Sequence, residues 1–212
     1  MDRLVFVIVM NLFFASTLGA LASAVLSISA HARTPDLCEQ YRATLTRESQ
    51  ALFGIGAPVP ALMAQIRQES SCQAGITAWD NGRGLAQFMD PTARQVSKSF
   101  PELGAPDPYN PKWAMRAMVR YDYWLHQRVR GDTECDRWAA SFKSYNAGLG
   151  YVQRAQRLSP APGTWFNVTE NINAGQSEKN FVYSRHYPRV ILFTHQMRYV
   201  PWGPPLCLGV RH

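Results

Sequence analysis

Apolar residues recur at every third or fourth position through most of this chain, as they do on one face of an α-helix. After Pro58 and Pro60, which suit a helix start, Leu62, Met63 and Ile66 fall on one such face. No two segments alternate apolar and polar residues convincingly as strands, so the spacing predicts a mainly α fold. The same pattern predicts further helices over residues 113–125, 138–145, 151–158 and 177–197.

Glycine and proline mark the places where the helical pattern stops. Gly148 is placed to end the third predicted helix in a left-handed conformation, and Pro188 should strain or kink the last one. Residues 159–176 contain two prolines and two glycines and are predicted to form a loop. Residues 201–212 are rich in proline and should be irregular.

The composition is that of one globular domain with an anionic partner. Of the 212 residues, 46% are apolar and 17% are charged, which excludes a disordered chain and allows a sizeable core. The formal net charge of +7 favours a polyanion or an anionic surface as the partner. Because the basic residues are scattered and form no dense run, the sequence predicts no nucleic-acid binding and favours a bacterial cell wall.

The first 32 residues have the order of an export signal. Arg3 precedes an apolar run over residues 4–28, and residues 29–32 (SAHA) end in the Ala-x-Ala pattern of a cleavage site. Polar residues interrupt this long run, so a cleaved signal peptide and a retained membrane anchor both stay open. Either way, we expect an exported protein, periplasmic or elsewhere in the cell envelope, which meets a membrane only through this segment. The expected parts are residues 1–32 as signal or anchor, 33–200 as the domain and 201–212 as a tail.

Four cysteines follow the signal segment: Cys38, Cys72, Cys135 and Cys207. In an oxidising compartment an even number predicts two disulfides, for which three pairings exist. We prefer Cys72 with Cys135 and Cys38 with Cys207, since the second bond would tie the two ends of the domain together. No Cys-x-x-Cys or His-Glu-x-x-His spacing occurs, so the sequence predicts no metal site.

Glu69 stands where the apolar stripe of the first predicted helix ends. A carboxylate on such a stripe loses solvation, which raises its pKa and can keep it protonated near neutral pH. A protonated carboxylic acid in a cleft can donate its proton to a leaving oxygen, as cleavage of a glycosidic bond requires. The alternative is a helix-end Glu that simply pairs with Arg67 or faces solvent. The residue alone does not decide between these interpretations.

Four short motifs follow in a fixed order: Glu69-Ser70, residues 84–89 (GLAQFM), residues 91–93 (PTA) and residues 144–148 (SYNAG). Together they resemble the lytic transglycosylases with the soluble-transglycosylase (SLT), goose-lysozyme-like domain. That family carries Glu-Ser, then Gly-Leu-Met-Gln-x-Met-Pro-x-Thr-Ala, then Ala-Tyr-Asn-Ala-Gly. The resemblance covers most of the exported chain and implies a lysozyme-like helical domain. It also implies a peptidoglycan lyase that cuts the MurNAc–GlcNAc β-1,4 bond without water and leaves 1,6-anhydro-MurNAc ends.

The resemblance implies a role for each matching position. Glu69 would be the single catalytic acid and then the base, Gly84 and Leu85 would form a tight turn, and Thr92 would begin the next helix. The residues implied in substrate binding are Gln87, Met89, Tyr145, Asn146, Ser70 and Tyr187. The substrate supplies the nucleophiles, so no cofactor is implied. The implied partners are peptidoglycan glycan strands, and a role beside a secretion, conjugation or phage apparatus stays open.

The chain departs from the family pattern at several positions. Ala86 stands where the family has Met, and the proline of the second motif comes one place late. In the last predicted helix Arg185 and Tyr187 match, but Tyr183 replaces a usual Glu. Glu178, from a nearby turn of helix, could substitute for that Glu.

Two other functions stay open at this point. A hydrolysing muramidase on the same fold would need a second carboxylate to position water. Asp80 is the best candidate for it, and Asp90 is a weaker one because an Asp before proline commonly forms a turn or helix cap. A non-catalytic wall-binding module would have little need for a buried acid at Glu69.

Overall fold

The computed structural model describes residues 36–209, and the predicted signal segment lies outside them. The described chain is mainly helical, which confirms the predicted fold class. Its α-helices are α1 (Arg42–Phe53), α2 (Val59–Ser70), α3 (Asp90–Ser99), α4 (Pro111–His126), α5 (Glu134–Ala147), α6 (Leu149–Leu158) and α7 (Glu178–Val190). Extended pairing within residues 36–209 is limited to two isolated bridges, Thr77 with Arg83 and Arg83 with Phe88.

Helix α2 is the central element of the core. All residues from Val59 to Ile66 are buried, and the helix packs against α1 and the segment 191–198. Pro60 lies in its first turn, where a missing N–H costs nothing. Because α2 is surrounded in this way, only its carboxyl-terminal end reaches the surface.

The starts of α4, α5 and α7 are capped by side chains, as their sequences allow. Asn110 accepts hydrogen bonds from the N–H groups of Lys112 and Trp113 at the start of α4. Thr133 caps α5 and Ser177 caps α7 in the same manner. Helix α5 then packs between α4, α6 and α7, which makes it the second central element.

The predicted ends of the last helices are found close to where they were expected. Gly148 follows α5 with a φ of 101°, a region that favours glycine. Past Pro188 the chain stays helical, but a π-helical turn replaces α-helical bonding at Ile191–His195. Short 3-10 turns follow at Gln196–Arg198 and Val200–Trp202. Of the helices that residues 36–209 form, none combines the length and the apolar character needed to cross a membrane.

The preferred disulfide pairing is wrong. Cys38 is bonded to Cys72, and Cys135 is bonded to Cys207. The physical reason is the short connection between α1 and α2, which turns the chain back on itself. The segment before α1, which contains Cys38, therefore lies beside the segment after α2, which contains Cys72. An ion pair of 3.1 Å between Asp36 and Arg67 joins the same two regions.

Candidate active site

Glu69 lies in the last turn of α2 and opens into a cleft of about 210 Å³. The cleft is assembled from the end of α2, the loops that follow it, and side chains of α4, α5 and α7. Its lining includes Glu69, Trp79, Asp80, Gln87, Met89, Thr92, Tyr121, Tyr145, Asn146, Tyr183 and Tyr187. Six of the seven site residues expected from the sequence are therefore brought together, and Ser70 is not among the residues that line the cleft.

The electrostatics of Glu69 are those of a carboxyl that keeps its proton. The pKa of Glu69 is raised to about 8: burial raises it most, a hydrogen bond from Tyr187 lowers it, and the charge of Asp80 raises it. The Tyr187 hydroxyl donates to Glu69 Oε1, and the Tyr187 side chain is 3% exposed. Arg67 pairs with Asp36 instead. The alternative in which Glu69 simply forms an ion pair with Arg67 is therefore wrong.

Ser70 joins the end of α2 to the glycine-containing loop. It is 3% exposed, and its Oγ lies 2.8 Å from the carbonyl of Leu85 and 3.3 Å from that of Ile66. A hydroxyl has one proton to donate, and both of these partners are acceptors. Ser70 is thus bonded to the backbone beneath the cleft, next to Glu69.

The loop at residues 84–88 places Gln87 at the cleft. Gly84 has a φ of 69°, and a Cβ there would lie 1.8 Å from the carbonyl oxygen of Pro108, so only glycine fits. Gln87 itself has a φ of 50°. Its Nε2 donates to the Gly84 carbonyl at 2.7 Å, and its Oε1 is buried without a partner. The Gln87 side chain is therefore held against the backbone of its own loop where it lines the cleft.

Tyr145 and Asn146 reach the cleft from the end of α5. The Tyr145 hydroxyl donates to the carbonyl of Ala86 at 2.8 Å. The centroid of its ring lies 5.9 Å from that of Phe88 and 5.5 Å from that of Tyr121. Burial raises the pKa of Tyr145 well above its usual range, so it is a neutral donor. Tyr145 thus fixes the loop from one side while Ser70 fixes it from the other.

Met89 and Thr92 lie at the start of α3. Met89 is 39% exposed and occupies the N-cap position, and α3 begins at Asp90 rather than at Thr92. Asp90 forms an ion pair with Arg83 at 2.6 Å, which accounts for its position. Asp80 is exposed, and its Oδ1 accepts from the N–H of Gly82 at 3.2 Å.

Three aromatic side chains of the cleft were not predicted from the motifs. Trp79 is 93% exposed and Tyr183 is 65% exposed, while Tyr121 comes from α4. The signal for Trp79 was present, since a Trp amid the Asp, Asn and Gly of a predicted turn has little core to join. Glu178, offered as a substitute for a family Glu, is exposed and is not part of the cleft lining. Residues 36–209 contain no grouping of three or more His, Cys, Asp or Glu side chains able to hold a metal ion.

Comparison with known proteins identifies the class. The model of the Transglycosylase SLT domain family matches residues 54–168, more than half of the chain. This chain therefore belongs to the SLT-domain transglycosylase family. The matched range contains Glu69 and every other cleft residue named above except Tyr183 and Tyr187.

The relatives that match are longer proteins. A membrane-bound lytic murein transglycosylase F from Vibrio cholerae is 29% identical over 109 residues, which cover 49% of this chain and 19% of that protein. One from Hahella chejuensis is 28% identical over 124 residues, 56% of this chain and 23% of that protein. The match thus spans less than a quarter of either relative.

Solved structures share the fold. The 70 kDa soluble lytic transglycosylase from Escherichia coli has a TM-score of 0.57 at 21% identity, over 81% of this chain and 27% of that one. An inactive mutant of the lytic transglycosylase Slt from Pseudomonas aeruginosa has a TM-score of 0.52 at 20% identity, over 78% and 25%. At this identity the likeness establishes the fold: a lysozyme-like helical domain.

Proposed function

We propose that this protein is a peptidoglycan lytic transglycosylase that cleaves the MurNAc–GlcNAc β-1,4 bond without water. The observation that carries the proposal is the carboxyl of Glu69 in the cleft, with its pKa raised to about 8 and its Oε1 held by Tyr187. Membership of the SLT-domain family and the names of the relatives support the same reaction class.

The side chains around Glu69 suit a glycan. A sugar offers hydroxyl and N-acetyl groups to amides, and apolar C–H faces to aromatic rings. Gln87 and Asn146 supply amide groups, while Met89 and Tyr183 supply exposed apolar surface. Ser70 and Tyr145 act indirectly: their hydroxyls donate to backbone carbonyls of the loop that carries Gln87 and so hold that loop in place.

Glu69 acts first as the acid. Because Tyr187 donates to Oε1, we assign the proton of Glu69 to Oε2, the oxygen that would face the substrate. Glu69 transfers this proton to the oxygen between MurNAc C1 and GlcNAc C4. The C1–O bond breaks, the GlcNAc 4-hydroxyl leaves, and the N-acetyl oxygen of MurNAc supports the positive charge at C1.

Glu69 then acts as the base. Its carboxylate takes the proton of the MurNAc C6 hydroxyl, whose oxygen attacks C1 and closes the 1,6-anhydro ring. The proton given in the first step is recovered in the second, and no water is consumed. Every group that this scheme uses belongs to the chain or to the substrate.

Hydrolysis on the same site is the competing reaction, because Asp80 lines the cleft with Glu69 and could position a water. However, the Asp80 carboxylate has a local explanation. Its bond to the N–H of Gly82 stabilises the turn at residues 78–82, as Asp does in many turns. We therefore favour the lyase.

Product analysis tests both the reaction and the acid. The purified chain is incubated with peptidoglycan, and the released muropeptides are identified by mass. Wild type and Asp80→Asn should both release anhydro-muropeptides, each lighter by one water than the hydrolysed equivalent, and Glu69→Gln should release none. Reducing ends that disappear in Asp80→Asn would establish the muramidase. A folded wild type that binds peptidoglycan without cutting it would overturn both proposals in favour of a binding module.

The location and partners follow from the same proposal. We infer a place in the cell envelope, supported by the export-like residues 1–32 and by the membrane-bound description of the relatives. Residues 33–200 are proposed as the catalytic domain and residues 201–212 as a tail. Peptidoglycan glycan strands are the proposed partner, and service to a secretion, conjugation or phage apparatus is a further prediction.

A further inference from the structure

A second acid lies in the core near Glu69, where the proposed reaction makes no use of it. Asp122 of α4 and Gln65 of α2 are both 0% exposed. The Gln65 Nε2 donates to Asp122 Oδ1 at 3.3 Å. The other oxygen of each side chain, Asp122 Oδ2 and Gln65 Oε1, is buried and has no hydrogen-bond partner.

An ionised Asp122 would make this arrangement costly. It would be a buried charge beside two unsatisfied oxygens, and such groups are normally paired or hydrogen-bonded. The ion pairs found within residues 36–209 do not include Asp122. A single proton on Oδ2 removes the charge and provides the missing donor.

We propose that Asp122 carries a proton on Oδ2 and donates it to Gln65 Oε1, so that the two side chains form a neutral acid–amide pair with two hydrogen bonds. Gln65 is one helical turn before Glu69 on α2, so the pair joins α4 to the helix that carries the proposed acid. Asp122 is a positioning residue in this account, since it acts through α2 and touches no substrate.

The ionisable groups around Asp122 agree with a neutral state. Glu69 reaches it electrostatically from α2, Tyr145 from α5 and Tyr187 from α7, with Tyr121 beside it on α4. None of these is a cation. Burial raises the pKa of Asp122 well above its usual range, the Gln65 hydrogen bond lowers it, and the charge of Glu69 raises it.

The consequence rests on the proposed function. Two negative charges this close in the interior would oppose one another, as in any coupled pair of acids. With Asp122 neutral, the single negative charge of this cluster is that of Glu69 after it has given up its proton. The acid–amide pair therefore keeps Asp122 neutral, so that Glu69 can ionise and act as the base without a second negative charge beside it.

The pH profile of the reaction distinguishes this role from simple packing. In Asp122→Asn the amide can donate to Gln65 Oε1 and accept from Nε2, as the protonated acid does. The alkaline limb of kcat/KM should therefore stay at the wild-type pH. In Gln65→Glu two carboxyls share one proton, and the added charge should move the limb to higher pH. A limb that moves to lower pH in Asp122→Asn would mean that Asp122 is ionised in wild type, and would overturn the proposal.

Infrared spectroscopy provides a test that needs no activity. In the Glu69→Gln background, the difference spectrum with and without Asp122→Asn isolates the carbonyl band of one buried acid. A protonated-acid band at pH 7 is expected, and a carboxylate band would overturn the proposal. If the band is present but wild type releases no muropeptides, the proposed function fails while the acid–amide pair stands.

Discussion

Glu69 can hold a proton at neutral pH because its carboxyl ends a helix whose other faces are core. Burial raises its pKa more than the hydrogen bond from Tyr187 lowers it, and Asp80 adds to the rise. At a pKa of about 8 the acid is mostly protonated at pH 7, yet its ionised form is close in free energy. The proposed role of Glu69, which first donates a proton and then accepts one, requires that its protonated and ionised forms be close in free energy.

Tyr187 should set both the orientation and the proton affinity of that carboxyl. Its hydrogen bond lowers the pKa of Glu69, so Tyr187→Phe should raise this pKa and move the alkaline limb of kcat/KM to higher pH. At pH 7 kcat should fall roughly 10- to 100-fold, because the carboxyl loses its fixed geometry. Muropeptide release measured across pH checks both effects. Tyr199→Phe is the control, since that buried hydroxyl contacts Arg67 and Asp36 instead. If the alkaline limb of Tyr187→Phe stayed at the wild-type pH, Tyr187 would not set the pKa of Glu69.

The raised pKa of Glu69 also has a cost in stability. The folded chain binds this proton more tightly than the unfolded chain does, so the free energy of unfolding falls as pH rises from 4.5 towards 8. Glu69→Gln removes the ionisation and keeps an acceptor for Tyr187. We expect it to be more stable than wild type by on the order of 2–4 kcal/mol at pH 9, and nearly equal at pH 4. Urea unfolding at both pH values measures this, and a pH-independent difference would count against a buried, titrating Glu69.

At the scale of elements, the turn at residues 78–82 holds Trp79 in solvent over the cleft. The Asn81 N–H donates to the Ala78 carbonyl at 3.0 Å, and the Ala78 N–H donates to that of Gly82 at 2.8 Å. Trp79 is 93% exposed, so it adds almost nothing to the core. Tyr183 lines the same cleft from α7. Two exposed aromatic rings on separate elements thus border the proposed glycan site.

Trp79 should therefore matter for binding and not for folding. Trp79→Ala is expected to weaken glycan binding about 10-fold, roughly the contribution of one aromatic contact, and to leave the melting temperature unchanged. Titration of soluble glycan fragments into the Glu69→Gln chain measures affinity without turnover. Ile55→Ala is a matched control, because Ile55 is 92% exposed but lies outside the cleft. Equal affinities for both variants would exclude a binding role for Trp79.

Helices were predictable from sequence in proportion to the apolar face that each buries. Helices α2, α4 and α5 bury long stripes, and residue spacing located all three. Residues 42–53 gave no clear pattern although they form α1, because only Leu45 and Ser49 of that helix are fully buried. Pro188 predicted strain in the last helix but not its form, which is a π-helical turn at Ile191–His195 that packs against α2.

At the scale of the whole molecule, the motifs located residues that line the cleft but not their arrangement. Glu69, Gln87 and Tyr145 could be expected together because they stand in ordered motifs. That Tyr187 would bond Glu69, and that Asp122 would lie near it, depends on how α4 and α7 pack around α2. The disulfide pairing was mispredicted for the same reason, since it follows from the reversal of the chain between α1 and α2.

The two disulfides should contribute similarly to stability but differently to activity. The Cys38–Cys72 bond closes 34 residues and the Cys135–Cys207 bond closes 72, for which loop entropy gives about 4 kcal/mol each. Cys72 follows Glu69 by three residues. It and Ser71 have φ values of 66° and 51°, which are unfavourable for these residue types and need to be held in place.

Replacing each disulfide by a pair of alanines separates these effects. Both variants should lose roughly 2–4 kcal/mol in urea unfolding. At a temperature where both remain folded, the variant without Cys38–Cys72 should also lose about 10-fold in kcat/KM, because the turn after Glu69 can relax and move the carboxyl. The variant without Cys135–Cys207 should keep its kcat/KM, since that bond joins α5 to the tail outside the cleft. An unchanged kcat/KM in the variant without Cys38–Cys72 would show that the turn needs no support from its disulfide, and that α2 and the loop bonds of Ser70 and Tyr145 position Glu69 on their own.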